Sequence, residues 1–177
     1  MEYVDIIDTY DRVIGKASKD ECHARGLLHR GSGLFVFSDT TFQYLLSQQR
    51  SIRVRNGGKW CSPGGHVSAG ETSAYAAQRE FYEELLGQEH PPAHIPYTFE
   101  CLFSLVKDET EDRELITLYR VVVPGPFSPD PLEVSVAQFF DVKNIITDVG
   151  AHPEKYTVAF RCLFAKYCAD ILYAAHR

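Results

Sequence analysis

Residues 65–87 of this 177-residue chain read GHVSAGETSAYAAQREFYEELLG and contain its most regular pattern. Thr72 or Ser73 is a suitable N-cap, and Gly87 is suited to end a helix in the left-handed conformation. The stretch therefore predicts a helix over residues 72–86. Four apolar side chains recur at helical spacing and predict a face that packs on a sheet: Ala74, Ala77, Phe81 and Leu85.

The other side of this helix is acidic. Glu80, Glu83 and Glu84 stand at i, i+3 and i+4, so their carboxylates share one face. Such carboxylates repel one another and raise one another's pKa values, which does not help folding unless cations neutralise them. Oxygen ligands on a rigid helix suit Mg²⁺, with Mn²⁺ as the alternative. Glu71 can add a fourth carboxylate, and Arg79, four residues before Glu83, can hold it in position.

A run of glutamates by itself is more often a solvated helix surface than a metal site. The full spacing is more specific: Gly65, five residues, Glu71, seven residues, Arg79-Glu80, an apolar residue, one further residue, then Glu83-Glu84. Chance agreement at these positions has odds on the order of 10⁻⁷ per starting position at average residue usage. The pattern resembles the signature of the Nudix hydrolase family.

The resemblance implies a fold and a reaction. The fold is of the α/β (α+β) class, a Nudix-type α/β/α sandwich with a mixed central sheet and a loop–helix–loop catalytic element. One domain is expected over residues 1–177. The implied activity is Mg²⁺-dependent hydrolysis of the diphosphate linkage of a nucleoside diphosphate or another organic diphosphate. A small-molecule diphosphate is thus the expected partner.

Similarity to the family also assigns roles to residues. The three glutamates of the acidic face would bind the metal, and one of them, or a nearby glutamate, would deprotonate the attacking water. Glu71 would support the ions or the helix, and Arg79 would orient a glutamate. Gly64 and Gly65 would let the backbone approach the metal. The family pattern expects a further glycine at Leu86, whereas this chain has its glycine one residue later.

A second resemblance concerns residues 21–30, ECHARGLLHR, and residues 59–66, KWCSPGGH. Both are similar to segments of isopentenyl-diphosphate isomerases and their hydrolase-like Nudix relatives. In those isomerases, histidines and acidic residues of a later strand bind a metal. The matching positions here are His29, His66 and Glu114, with Asp112 a weaker match and His23 one residue out of register. For the two matching histidines, metal ligation and a structural or substrate-contacting role both stay open.

One position separates the isomerase from the hydrolase. The essential cysteine of the isomerases directly precedes the first glycine of the pattern, and this chain has Gly64 there, with Cys61 three residues earlier. The isomerases also usually lack the complete glutamate set. Isopentenyl-diphosphate isomerase is therefore the alternative to the hydrolase. A non-catalytic Nudix-fold nucleotide-binding sensor is a third hypothesis, and it predicts a broken carboxylate set.

A basic loop precedes Trp60 and is a candidate for binding substrate. Arg50 and Lys59, together with Arg53 and Arg55, can receive a distal phosphate. A solvated basic loop explains them equally well. In Nudix hydrolases that act on ADP-ribose or dinucleoside polyphosphates, a proline or tyrosine is expected after the glutamate pattern. This chain has Leu102 in place of the proline and Phe103 in place of the tyrosine, so neither substrate class is favoured.

Composition limits the remaining functions. A hydrophobic content of 45% and a net charge of −6 are ordinary for a globular domain and argue against nucleic acid as the main partner. The five cysteines match no zinc spacing. We expect free thiols and a cytoplasmic location, since neither a signal peptide nor an apolar run of ~18 residues is present. No membrane partner is expected, and a homodimer stays open.

The rest of the chain is predicted as a series of strands with helices after them. Ser18 is the predicted cap of a short helix over residues 18–25. Strands are predicted at 4–8, 12–16, 34–37, 42–46, 97–106, 115–123 and 134–140. Residues 107–112 are predicted as an acidic turn, and residues 154–175 as a helix. The helix is expected to pack through Val158, Cys162, Ala165 and Ala169.

Overall fold

The computed structural model describes residues 2–109 and 112–172. The strands in these ranges are β1 (Tyr3–Ile7), β2 (Val13–Ser18), β3 (His29–Phe37), β4 (Tyr44–Arg50), β5 (Trp60–Cys61), β6 (Gly64–His66), β7 (Glu100–Glu109), β8 (Asp112–Val122) and β9 (Val134–Asp141). The α-helices are α1 (Lys19–Arg25), α2 (Ser73–Leu86), α3 (Val142–Ala151) and α4 (Val158–Tyr167). A 3₁₀ turn covers Pro153–Lys155, and a π-helical turn covers Cys168–Leu172. Among the described residues, no helix is both long and apolar enough to cross a membrane.

Strand β3 is the centre of a mixed sheet. It runs parallel to β8 along its whole length, from the pair His29–Glu114 to the pair Phe37–Val122. It is antiparallel to β6, and it also pairs with β1 and β4 near its two ends. The outer strands extend the sheet, because β7 pairs with β8 while β5 and β9 pair with β4. The mixed sheet predicted by the resemblance is confirmed.

The side chains of β3 alternate between two hydrophobic cores. Leu34 and Val36 belong to one core, which includes Phe81 and Leu85 of α2. Phe35 and Phe37 belong to the other, which contains residues of α4. All four β3 side chains are fully buried, as expected of a strand that is covered on both faces. The predicted α/β/α sandwich is confirmed.

Helix α2 begins and ends as predicted. The side chain of its N-cap, Thr72, accepts a 3.2 Å hydrogen bond from the backbone N–H of Tyr75. At the other end, Gly87 has φ 62 and its N–H donates to the carbonyl of Tyr82. A left-handed residue at this place ends the helix at Leu86, which accounts for the glycine that comes one residue later than in the family pattern.

The predicted packing face of α2 is partly wrong. Ala74 is exposed, and Ala76 is buried instead, next to Ala77. The buried face also extends to Glu84, which is 5% exposed. The helix packs against both β3 and β6, so the buried surface is wider than one apolar stripe and includes part of the acidic side.

The predicted acidic turn at residues 107–112 is also wrong in extent. The ladder between β7 and β8 continues through Lys107–Glu114 and Asp108–Arg113. Opposite charges face each other in both pairs, and such pairs stabilise a ladder that looks like a polar turn in the sequence. Residues 110 and 111 lie outside the described residues.

The helix predicted at residues 154–175 begins later, and its packing face is different. Thr157 caps α4 by accepting a 3.3 Å hydrogen bond from the N–H of Phe160. The predicted packing residues Cys162, Ala165 and Ala169 are exposed, and Val158 is half-buried. Larger side chains bury more apolar area and take the inner face: Phe160, Leu163, Phe164 and Tyr167. Residues 173–175 lie outside the described residues, and strands β4 and β7 begin two and three residues later than predicted.

Candidate active site

The first group of polar side chains, which we call the glutamate centre, comprises Glu71, Glu80, Glu83 and Glu84 together with Arg79. Strand β6 brings the chain beside the carboxylates of α2, because Gly65 pairs with Ser32 of β3. A β carbon on residue 65 would lie 2.3 Å from Glu80 Oε1. A larger residue here would displace the Glu80 carboxylate from its present position, so glycine keeps the backbone and this carboxylate close together.

Arg79 holds three carboxylates of the centre in place. Its Nη1 donates to Glu80 Oε1 at 2.7 Å and to Glu83 Oε2 at 2.9 Å. Its Nε donates to Glu71 Oε1 at 3.0 Å, and Glu71 Oε2 accepts a 2.8 Å hydrogen bond from the N–H of Ser68. The sequence indicated the contact with Glu83. The structure adds the contacts with the other two glutamates.

Glu84 is positioned from the opposite side. Its Oε2 accepts 2.9 Å hydrogen bonds from the N–H of Gly64 and from Nε2 of Gln48 in β4. Both bonds use the same oxygen, so Oε1 can bind a cation without breaking either. Gln48 was not recognised in the sequence, where nothing distinguishes a buried glutamine in a strand from a solvated one.

The centre has an unbalanced negative charge. Burial raises the pKa of Glu84, and the charge of Glu80 raises it further. Burial also raises the pKa of Glu80, although Arg79 opposes that shift. One guanidinium cannot neutralise four carboxylates, so a cation is needed when all of them are ionised. Carboxylate oxygens are hard ligands of the kind that divalent cations such as Mg²⁺ take, and Arg79 Nη1 draws those of Glu80 and Glu83 together.

A second group, the histidine cluster, comprises His23, His29, His66, Asp112 and Glu114. The register of β3 brings most of it together, because His29 pairs with Glu114 of β8 while Gly31 pairs with His66 of β6. His23 comes from α1, and its Nε2 lies 3.2 Å from Nε2 of His66. The imidazole rings of His29 and His66 stack with centroids 5.1 Å apart.

The donor atoms of the cluster have the spacing of a metal site. His29 is fully buried, and its Nδ1 lies 2.8 Å from the carbonyl oxygen of Leu27. Its Nε2 and Asp112 Oδ1 are buried without a hydrogen-bond partner. One donor atom from each of His23, His29, His66 and Asp112 lies within 4.8 Å of the others. Imidazole and carboxylate donors at this spacing fit a divalent transition-metal ion on the histidine side of the cluster.

A lysine lies on the other side of the cluster. Lys107 Nζ is 2.8 Å from Asp112 Oδ2 and contacts Glu114 Oε2. Glu114 Oε1 is 3.5 Å from His66 Nε2. Burial lowers the pKa of His66, so this imidazole is neutral and its lone pair can bind a cation. Lys107 was hidden in the stretch predicted as an acidic turn, where its partner across the ladder could not be identified.

Both groups border one cleft of about 760 Å³. Its basic rim includes Arg50 and Arg55, and its apolar wall includes Ala159 and Leu163 of α4. Lys59 and His29, both predicted as substrate contacts, are not among the described residues that line the cleft. The sequence therefore named most of the charged and histidine side chains that line this cleft, and their roles stay predictions.

The family model of the NUDIX domain matches residues 27–161 of this chain. The chain therefore belongs to the Nudix family of hydrolases. The isopentenyl-diphosphate Delta-isomerase of Serratia proteamaculans is 29% identical to this chain over 160 residues, covering 90% of this chain and 87% of the isomerase. An uncharacterised Nudix hydrolase of Streptomyces coelicolor is 33% identical over 144 residues, covering 76% of this chain and 71% of the hydrolase.

Solved structures agree on the fold. DR0079 from Deinococcus radiodurans superposes with a TM-score of 0.77 at 20% identity, covering 93% of this chain and 98% of that protein. A MutT NUDIX hydrolase from Burkholderia pseudomallei gives a TM-score of 0.59 at 19% identity, covering 78% of this chain and 96% of that protein. At 20% and 19% sequence identity, these two superpositions show that the chain shares the Nudix fold.

Proposed function

We propose that this chain is a Mg²⁺-dependent hydrolase that cleaves the diphosphate linkage of a small organic diphosphate. The observation that carries the proposal is the complete glutamate centre, held by Arg79 and Gln48 beside a cleft large enough for such a substrate. A sensor without turnover has no need for this costly arrangement of buried like charges.

The residues of the centre have distinct parts in the proposed reaction. Glu80, Glu83 and Glu84 would hold Mg²⁺, which supplies charge neutralisation at the phosphate oxygens and a lower pKa for a bound water. A glutamate of the centre accepts the proton of the attacking water. The new P–O bond then forms as the bond to the bridging oxygen breaks. Glu83 is the most accessible candidate for the base, with 31% of its side chain exposed, and Arg79 orients it.

The cleft also provides places for the rest of the substrate. Arg50 and Arg55 line the rim and are suited to the distal phosphate, because guanidinium groups bind phosphate oxygens in pairs. The wall formed by Ala159, Phe160 and Leu163 is apolar and suits the organic group. A nucleoside diphosphate and another organic diphosphate both meet these requirements.

The isomerase is the second candidate, because the histidine cluster and the Serratia relative both favour it. Gly64 opposes it. This residue has φ 148, and a β carbon on it would lie 2.3 Å from the carbonyl oxygen of Ser32. A cysteine does not fit there without a shift of the backbone. Cys61, the nearest thiol in the sequence, has a pKa raised to about 12 by burial.

A substrate panel distinguishes the three functions. Nucleoside, sugar and prenyl diphosphates are incubated with the protein and Mg²⁺ in ¹⁸O-water, and the products are identified by mass. Hydrolysis predicts a phosphorylated product that contains ¹⁸O. Formation of dimethylallyl diphosphate from isopentenyl diphosphate would instead identify the isomerase. Nucleotide binding without any Mg²⁺-stimulated product would identify the sensor.

A further inference from the structure

Lys107 is a buried lysine beneath the histidine cluster, and the proposed reaction does not use it. It stands directly opposite Glu114 in the ladder between β7 and β8, and 5% of its surface is exposed. Its ammonium lies 2.8 Å from Asp112 Oδ2 and also contacts Glu114 Oε2. Because a buried ammonium is costly without opposite charges, these two carboxylates serve as its counterions.

Asp112 and Glu114 each direct one oxygen to Lys107 and the other to the histidines. Asp112 Oδ1 lies 3.6 Å from His23 Nε2, and Glu114 Oε1 lies 3.5 Å from His66 Nε2. With two carboxylates in contact with its ammonium group, Lys107 carries its positive charge although it is buried. A divalent ion bound by Asp112 Oδ1 and Glu114 Oε1 would therefore lie close to the positive charge of Lys107. Like charges repel strongly when they are buried.

We propose that Lys107 is a positioning residue that gives the histidine cluster a built-in positive charge and prevents divalent ions from binding tightly there. The lysine pairs with one oxygen of Asp112 and one of Glu114, and its charge opposes a metal ion at the other oxygen of each carboxylate. Metal binding is then concentrated in the glutamate centre. The inference rests on the proposed function, in which the glutamate centre binds the ion that supports hydrolysis.

The test is a titration of the whole protein with Co²⁺, with Mg²⁺ in excess to fill the glutamate centre. Imidazole ligands favour Co²⁺ over Mg²⁺, and imidazole-bound Co²⁺ has a distinct visible spectrum. Lys107→Met should bind Co²⁺ about 10- to 100-fold more tightly than the wild type, the range that groups outside the ligand shell typically control. The tight site should show the imidazole spectrum and lose it when His66→Ala is added.

Three control variants separate charge from packing. Lys107→Arg keeps the positive charge and should bind Co²⁺ as the wild type does. Lys143→Met removes an exposed lysine and should have no effect. Lys107→Gln removes the charge but keeps a hydrogen-bond donor, and it replaces Lys107→Met if that variant does not fold.

Two results would overturn the proposal. One is a wild-type protein that already binds Co²⁺ with the imidazole spectrum as tightly as the uncharged variants do. The other is a folded, uncharged variant that gains no affinity. The titration uses no substrate, so a failure of the hydrolysis assay leaves its result standing. Equally, hydrolysis can be confirmed while the inference about Lys107 fails.

Discussion

Gly64 and Ser32 are in such close contact that a side chain on residue 64 has no room. The β carbon of any such side chain would lie 2.3 Å from the carbonyl oxygen of Ser32, in a backbone conformation with φ 148. The N–H of Gly64 donates to Glu84, so the same residue positions a carboxylate of the glutamate centre. The backbone around residue 64 thus leaves no room for the cysteine that the isomerases have at this position.

Replacing Gly64 by cysteine should therefore destabilise the protein without creating isomerase activity. We expect a loss of at least about 2 kcal/mol in the free energy of unfolding, measured by urea denaturation, because backbone strain and a steric clash act together. Gly70→Ala is the matched control, since Gly70 has φ 81 but open space around its β-carbon position. That variant should lose about 1–2 kcal/mol, the cost of the left-handed conformation alone. An active, stable isomerase from Gly64→Cys would refute this interpretation.

Replacing Glu84 by glutamine should lower turnover by at least about 100-fold while the fold is retained, because the side chain keeps its shape but loses the charge that binds Mg²⁺. The measurement is kcat on whichever diphosphate the substrate panel identifies, with circular dichroism to check the fold. Glu89→Gln is the control, since Glu89 is exposed just beyond α2. Wild-type turnover in Glu84→Gln would remove Glu84 from the metal site.

Two basic residues of the same loop should differ in their effect on substrate binding. Arg55 lines the cleft, whereas Lys59 is not among its described lining residues. Arg55→Ala should raise KM about tenfold with little change in kcat, since about 1.4 kcal/mol corresponds to one charge-assisted hydrogen bond. Lys59→Ala should leave both constants unchanged. Equal effects from the two variants would contradict the proposed place of the distal phosphate.

The stability of the metal-free protein should depend on pH through Glu84. Burial raises the pKa of this group in the folded state, so its stabilising effect is complete at low pH. That effect is lost as pH rises through the folded-state pKa, over a window from about pH 5 to about pH 8. Relative to Glu84→Gln, the wild type should therefore lose unfolding free energy across this window.

Urea denaturation at several pH values, with a chelator present, measures that difference. Comparing the two proteins removes the contributions of distant groups that they share, whereas Glu80 interacts with Glu84 and contributes to the difference. Added Mg²⁺ should restore more stability to the wild type near pH 8 than near pH 6, because protons compete with the ion for the carboxylate. A difference that stays constant with pH would show that Glu84 titrates normally.

The sequence by itself determined the fold class and the glutamate centre. Helix α2 is identifiable because its caps and the spacing of its glutamates are local features, set by the geometry of one helix. Arg79 could be linked to Glu83 for the same reason, since residues four apart meet on a helix surface. Gly64 and the missing cysteine are also visible without a structure, so the sequence alone ranks the isomerase as the alternative, and that ranking stays a prediction.

The tertiary structure alone decided how distant strands meet. The histidine cluster depends on the registers of β3 with β6 and β8, and strand register is fixed by packing across the sheet rather than by local spacing. For the same reason, Lys107 could not be placed opposite Glu114, nor Gln48 beside Glu84. The clash that excludes a side chain at Gly64 likewise comes from Ser32, which lies 32 residues earlier in the sequence (64 − 32), and only folding brings the two together.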